Sequence, residues 1–507
     1  MLLLLLIAQA HADQVNKGAA ARFDASTVTA VYAAALGFME PRTLEAVPVP
    51  QLTLWGLRGL TAIDPDLATD AYQGKLRLIE GGQLLSTETP PAQPTPLLWA
   101  AIAARLSSTA FAASSAIRQA GTAGVIQSFF DELFNHLDPY SRYVGPQEAA
   151  LDRANRNGSA GLGLTLERRN NAVRVAAAVE DSPAATAGVQ PGDIVLAVDG
   201  ERVHGDAVRA ERLIAGPNAT AVRLSWRGKG GHMHVTELIR TMVPPETVFA
   251  DRQKNILMIR VTGFDRSTAA HLGYALKRGM AADPPPDGIV LDLRDNRGGL
   301  LHEAVEAANE LLPTGVVAYT IGRDPDASRI WLSGPGQLAQ DVPVVVLVDG
   351  RTASAAEVLT AALTDRGRAV AVGSATLGKG LVQTITPLPN GGELFVTWSR
   401  ILAPRGWPLQ GLGVLPQVCT SLGGAALHKQ LAALADGTQP MTAAIEAQRA
   451  ARAPLPAATM VAIRRNCPAA GGNEDDMAAA KLLIENPAAY AAALLPPLQA
   501  PAAQAVR

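Results

Sequence analysis

Val342-Pro-Val-Val-Val-Leu-Val348 is a continuous β-branched apolar run, the pattern of a strand buried on both faces of a largely parallel sheet. Asp349-Gly350 stops it. Ser354-Ala-Ala-Glu357 then has the Ser-x-x-Glu spacing of a capping box, and Val358, Leu359, Ala362 and Leu363 follow at helical spacing. The pattern recurs upstream. Gly288-Ile-Val-Leu-Asp-Leu-Arg294 predicts a strand, Asp295-Asn-Arg-Gly-Gly299 a turn, and Ala304, Val305, Ala308 and Leu311 a helix. Ile256-Leu-Met-Ile-Arg-Val261 predicts another strand, with Ser267 capping a helix through Leu276.

Residues 13–124 are expected to be mostly helical, with Val28, Val31, Tyr32 and Leu36 on one face and later Leu98, Ala101, Ile102 and Leu106. Pro90-Pro91, Pro94 and Pro96 break that segment in two. Beyond residue 420 the chain is alanine-rich and helical in pattern, interrupted by Pro454, Pro456 and Gly471-Gly472. At the other end, Met1-Leu-Leu-Leu-Leu-Leu-Ile-Ala8 leads to Ala10-His-Ala12, the form of a signal peptide cleaved after Ala12, although the usual basic start is missing. It is too short to span a bilayer, and no other run reads as apolar enough for a transmembrane helix.

A chain of 507 residues has room for roughly three or four domains, and 48% hydrophobic content is ample for their cores. Net charge is −2, and no basic stripe with interleaved aromatics occurs, which argues against nucleic acid as a partner. The two cysteines, Cys419 and Cys467, form an even pair; in an exported chain this points to one disulfide tying the tail to the end of the core. Their spacing fits no zinc site. No His-Glu-x-x-His and no Gly-x-Ser-x-Gly elbow occurs, and His232-Met-His234 reads as strand alternation, so metal and Ser-His-Asp hydrolase chemistry fall away. No cofactor is called for.

Three local patterns carry candidate chemistry. Ser354 sits where a strand hands over to a helix N-terminus, and serine is among the commonest N-caps, so alone it reads as structural. Lys379 stands between Gly378 and Gly380, close to the apolar Leu377, Leu381 and Val382. A lysine in that setting is usually a solvated turn residue, but its amine, with an ordinary pKa near ~10.4, becomes a base at neutral pH if burial desolvates it. Together the two residues make the set that Ser-Lys acyl transfer requires, a hydroxyl near the positive end of a helix dipole and a neutral amine. Gly298-Gly299, at a strand-to-helix turn, can free backbone N–H groups for an oxyanion; alone it is an ordinary turn.

Leu291-Asp-Leu-Arg-Asp-Asn-Arg-Gly-Gly-Leu300, Thr352-Ala-Ser-Ala-Ala-Glu357 and Gly378-Lys-Gly-Leu-Val-Gln383 resemble, in this order, the three signature blocks of the C-terminal processing (tail-specific) serine peptidases. Leu137-Asp-Pro-Tyr-Ser-Arg-Tyr-Val144 is similar to that family's Leu-Asp-Pro block, and Gly411-Leu-Gly-Val-Leu-Pro416 to its closing Gly-x-Gly-x-x-Pro. The resemblance covers about residues 125 to 420. It implies that Ser354 is the nucleophile, Lys379 the general base and Gln383 the residue that orients the lysine. It also implies an oxyanion hole from the backbone of Gly298 or Gly299 with that of Ala355. Ala356 stands where the family often has a further small hydroxyl residue, which leaves the dyad itself untouched.

Residues 150–240 resemble a PDZ domain. Gly161-Leu-Gly-Leu164 looks like its carboxylate-binding loop, and Ser182-Pro-Ala-Ala-Thr-Ala-Gly-Val-Gln-Pro-Gly-Asp-Ile-Val-Leu-Ala-Val-Asp-Gly200 is the block that makes the likeness specific. Loop N–H groups of that kind hold a terminal carboxylate while an adjacent sheet edge adds the peptide as a strand. The expected fold is multidomain α/β (α+β): a crotonase/Clp-protease-like peptidase core, split as 125–149 and 241–420, an inserted PDZ domain, and helical regions at 13–124 and 421–507. The expected function is an exported endopeptidase, soluble in a bacterial periplasm after loss of residues 1–12, that cleaves proteins whose free apolar C-termini the PDZ domain captures. The alternative is a catalytically silent PDZ scaffold on the same core; the joint presence of Ser354, Lys379 and Gln383 favours the enzyme. The tail after 420 is left to cover an edge of the core or to serve self-association, and an adaptor protein stays open.

Overall fold

The computed structural model describes residues 22–179 and 182–496, so the apolar segment read as a signal peptide lies outside the described residues. The chain divides into two compact units. One comprises the chain up to Ala150 with Ile321–Ser328 and Leu381–Ser399; the other comprises Leu151–Thr320, Arg329–Gly380 and the chain from Arg400 on.

The first unit is a helical cluster with strands at its margins. Helices Ala25–Met39, Val49–Leu57, Pro96–Ala113 and Ser115–Asn135 bury Val28, Tyr32, Leu52, Trp99, Ile102, Leu106, Phe129 and Phe130 in one core, with Tyr32 stacked on Phe129 at 3.9 Å. Pro96–Ala113 is long and apolar enough to cross a membrane by length and composition, contrary to the expectation that no such run exists, but half of it is buried inside this unit.

Between Leu67 and Glu88 the expected helix gives way to three antiparallel strands. The cause is local: Gln73-Gly74 and Gly81-Gly82 all take positive φ, the two-residue turns that match the twist of a hairpin, and Leu76 and Leu78 alternate into the core. Strand Arg142–Val144 pairs antiparallel with residues 393–395 of the same unit.

The second unit holds a six-stranded sheet in the order Val248–Gln253, Ile256–Val261, Gly288–Asp292, Val344–Val348, Val370–Gly373, Val418–Cys419. Only the first pair is antiparallel. Gly288–Asp292 and Val344–Val348 are buried at every position, as the apolar runs Ile289–Leu291 and Val344–Val348 require of strands covered on both faces. One face carries Val290, Val345, Leu347, Val370 and Val372, which pack on Leu427, Leu434, Ala480, Leu483 and Ile484. The alanine-rich tail therefore covers a face of the sheet, not merely an edge. Cys419 and Cys467 are disulfide-bonded.

The PDZ-like part of this unit has its own core around Val173, Val175, Val195, Leu224 and Trp226, and Leu164–Arg169 is one of the two edge strands of its sheet. Strand Thr241–Val243 pairs antiparallel with Ser159–Gly161.

Leu483→Ala should leave a cavity between tail and sheet and lower the unfolding free energy by about 2–5 kcal/mol, read by chemical denaturation. An unchanged midpoint would mean that the tail is not part of this core.

Candidate active site

Two strand-to-helix turns meet at the carboxyl ends of the neighbouring parallel strands Gly288–Asp292 and Val344–Val348. They are stitched together by the polar residues that follow each strand. The Thr352 hydroxyl donates to the Leu293 carbonyl at 2.9 Å, the Asp295 N–H to Asp349 Oδ1 at 3.1 Å, and the Ala353 N–H to the Asn296 carbonyl at 2.9 Å. Asn296 is fully buried, and its Nδ2 donates to the Val261 carbonyl at 2.8 Å.

Ser354 opens the helix Ala355–Asp365 with φ 56° and ψ −119°. An ordinary serine cap is extended. A side-chain-bearing residue at positive φ costs of order ~1–3 kcal/mol and persists only where its surroundings over-determine it. Here the restraint is Glu357. Its Oε2 accepts the N–H of Ser354 at 2.7 Å and that of Lys379 at 2.9 Å, while Oε1 accepts the Gly378 N–H at 2.7 Å and the Thr376 hydroxyl at 2.5 Å. The Ser-x-x-Glu pattern thus marks more than a cap, because one carboxylate oxygen grips the backbones of both the expected nucleophile and the expected base. Glu357 is fully buried; burial pushes its carboxyl above the ordinary range, opposed by these four donors.

The lysine loop is held from its other side as well. Leu377 N–H donates to the Thr352 carbonyl at 2.9 Å, Gly411 N–H to the Gly378 carbonyl at 2.9 Å, and Gly380 N–H to Gln410 Oε1 at 2.9 Å. A Cβ at Gly380 would stand 2.1 Å from the Gln410 nitrogen, so glycine is required there by backbone passing over backbone. Lys379 is half-buried. Leu377, expected to help desolvate it, instead is 45% exposed because its backbone, not its side chain, faces the serine turn.

Of the two glycines of the opposite turn, Gly298 gives its N–H to Asn296 Oδ1 at 2.8 Å. Its role is close approach: a Cβ there would lie 2.8 Å from Ser354 Cβ and 2.9 Å from the Ala355 nitrogen. That places the Gly298-Gly299 turn directly against Ser354 and Ala355. Gln383 belongs to the other compact unit, where its Nε2 donates to the Leu381 carbonyl and to Thr397 Oγ1, each at 3.1 Å, and Thr397 Oγ1 donates to Asp138 Oδ1 at 2.6 Å. Ser354, Lys379, Gly298, Gly299 and Ala355 are thus brought together within one unit. Glu357, Thr376 and Asn296 are the supporting residues that the sequence motifs did not single out for this work.

In the PDZ-like part, Gly161, Leu162, Gly163 and Leu164 line a groove of about 390 Å³ with Ile214 and Val243, and Leu162 is also part of that domain's buried core.

Residues 255–420 match the model of peptidase family S41, and residues 174–228 match a PDZ domain model. The chain is 31% identical over 299 residues to the carboxy-terminal-processing protease of Bartonella bacilliformis, covering 58% of this chain and 69% of that protein. It is 30% identical over 297 residues to the carboxyl-terminal-processing protease of Synechocystis, covering 56% of this chain and 69% of the relative. Among solved structures, the photosystem II D1 C-terminal processing protease aligns at 24% identity and a TM-score of 0.36, over 75% of this chain and 97% of that one. The molecule is a serine-type peptidase with a PDZ domain. It belongs to peptidase family S41, among the carboxy-terminal-processing proteases.

Glu357→Gln removes one of the two acceptor oxygens and turns an amide N–H₂ toward backbone donors. It should cost about 1–3 kcal/mol per orphaned donor in denaturant unfolding and lower peptidase kcat by on the order of 10²-fold. Wild-type kcat in this variant would show that the carboxylate does not set the geometry of the site.

Proposed function

We propose that the protein is an exported serine endopeptidase in which Ser354 is the nucleophile, Lys379 the general base and Gln383 the residue that orients the lysine. The observation that carries this reading is the shared grip of Glu357 Oε2 on the N–H groups of Ser354 and Lys379, which fixes the two backbones relative to each other. The strained backbone of Ser354 supports it, since such strain is unneeded in a simple cap. Lys379 Nζ takes the proton as Ser354 Oγ attacks the scissile carbonyl, then returns it to the leaving amine; water resolves the acyl-enzyme by the reverse exchange. The N–H groups of Gly299 and Ala355 are the oxyanion donors in this scheme, because Gly298 has already committed its own.

The substrate proposal rests on the groove beside Gly161-Leu-Gly-Leu164 and on strand Leu164–Arg169 lying at an edge of its sheet: a protein with a free apolar C-terminus adds its tail as a strand there. The Cys419–Cys467 disulfide supports a working place in an oxidising compartment, which for a bacterial chain is the periplasm.

Ser354→Ala should lower cleavage of a tail-bearing peptide by on the order of 10⁴-fold or more while the chain stays folded. Lys379→Arg, which keeps the charge but cannot give up a proton, should be as inactive as Lys379→Ala. Retained cleavage in the arginine variant would remove the lysine from the role of base.

Peptides that share a cleavage site but end in a free carboxylate or its amide separate tail capture from simple cleavage. Losing the anion should lower kcat/KM by on the order of ten- to a hundredfold. Equal rates would refute selection by the C-terminus.

A further inference from the structure

The tail after the core contains a short run that touches every loop of the candidate site. Residues 467–476 start at the disulfide to Cys419 and end in the first turn of the helix Glu474–Glu485. The Ala470 carbonyl accepts the Gly350 N–H at 2.7 Å, and Gly472 N–H donates to Asp349 Oδ2 at 3.2 Å. Both contacts fall on the turn that presents Ser354. Asp349 relays them, because its Oδ1 accepts the N–H groups of Thr352 at 2.9 Å and of Asp295 at 3.1 Å.

At the start of the lysine loop, Ser374 Oγ donates to the Ala470 carbonyl at 2.9 Å and accepts the Ala470 N–H at 3.0 Å, and Ser374 is almost fully buried. On the glycine turn, Arg294 Nη1 donates to the Asn473 carbonyl at 3.0 Å and to Asp476 Oδ2 at 3.2 Å. Asp476 is itself buried and anchored through Oδ1 to the Thr420 hydroxyl at 2.6 Å, one residue from Cys419.

We propose that residues 467–476 are a strap that positions the catalytic centre from behind, and that the Cys419–Cys467 disulfide keeps the strap seated. The inference rests on the reading of Ser354 as nucleophile and adds to it a part of the chain outside the family match at 255–420. The strap residues touch no reacting atom in this scheme. They act through Asp349, Gly350, Ser374 and Arg294, so they are positioning residues. When a dithiol reductant gives two electrons and two protons to the disulfide and becomes a disulfide itself, Cys419 and Cys467 become thiols. The strap is then held without a covalent tie, by these hydrogen bonds and the ion pair of Arg294 with Asp476. Displacing a nucleophile by even ~1 Å costs up to about 10²-fold in rate. Capture of the substrate tail, which depends on the PDZ groove, is not coupled to the strap by any of these contacts.

The test compares the oxidised protein, the protein reduced with dithiothreitol with both thiols confirmed by titration, and the Ser374→Ala variant, which keeps the disulfide but removes two strap bonds. In each, the rate of labelling by a fluorophosphonate is followed with peptide mapping of the label, beside binding of a tail peptide to the PDZ domain. Far-UV circular dichroism confirms that each form is folded. The expected result is label on Ser354 in all three, at rates about ten- to a hundredfold lower after reduction and several-fold lower in Ser374→Ala, with tail affinity unchanged. Label mapping to another residue overturns the reading of the site and the inference with it. Label on Ser354 at one common rate overturns the inference alone. Equal losses of labelling and of tail affinity overturn it too, since they would mark general loosening instead of positioning.

Discussion

The site depends on a single buried carboxylate. Glu357 accepts hydrogen bonds from Ser354, Thr376, Gly378 and Lys379, and no water is needed to satisfy it. Burying a charge is costly unless its lone pairs are all engaged, and then removing any partner is expensive. The cost of this arrangement is offset by geometry: the lysine loop and a strained turn acquire one common reference point. The high-energy backbone at Ser354 is tolerable because the N–H it presents has that fixed acceptor.

What could be read from the chain followed the range of the interactions. Strands such as Gly288–Asp292 and Val344–Val348 announce themselves through the apolar runs Ile289–Leu291 and Val344–Val348, because those side chains are buried on both faces. Ser354 and Lys379 stood out through local spacing and family likeness. The second task of Glu357 did not, since its partners on the lysine loop lie 19 to 22 residues away and Ser-x-x-Glu is fully explained by an ordinary cap. The three strands between Leu67 and Glu88 were missed for the opposite reason: the Gln-Gly and Gly-Gly turn signals were present but were outweighed by the helical periodicity on either side.

The tail shows the same limit more strongly. Its alanine content predicts helices and nothing about where they dock. Docking is set by contacts such as Gly472 to Asp349 and Asn473 to Arg294, separated by 123 and 179 residues. The result is a core whose serine and lysine loops are contacted on one side by the Gln410 side chain and the Gly411 backbone and on another by residues 470–476, while the helices beyond cover the sheet face. A change in the tail is therefore expected to reach the Ser354 and Lys379 loops through the contacts that back them.

In the proposed mechanism Glu357 holds Ser354 and Lys379 as one nucleophilic centre, and rapid-quench trapping of a slowly deacylating ester substrate, with mass-spectrometric mapping of the acyl group, tests it most directly. The account predicts an acyl group on Ser354 in a burst near one per active site in the wild-type protein, and a burst rate reduced on the order of a hundredfold in Glu357→Gln. Product formation with no acyl group on Ser354, or an undiminished burst rate in Glu357→Gln, would contradict it.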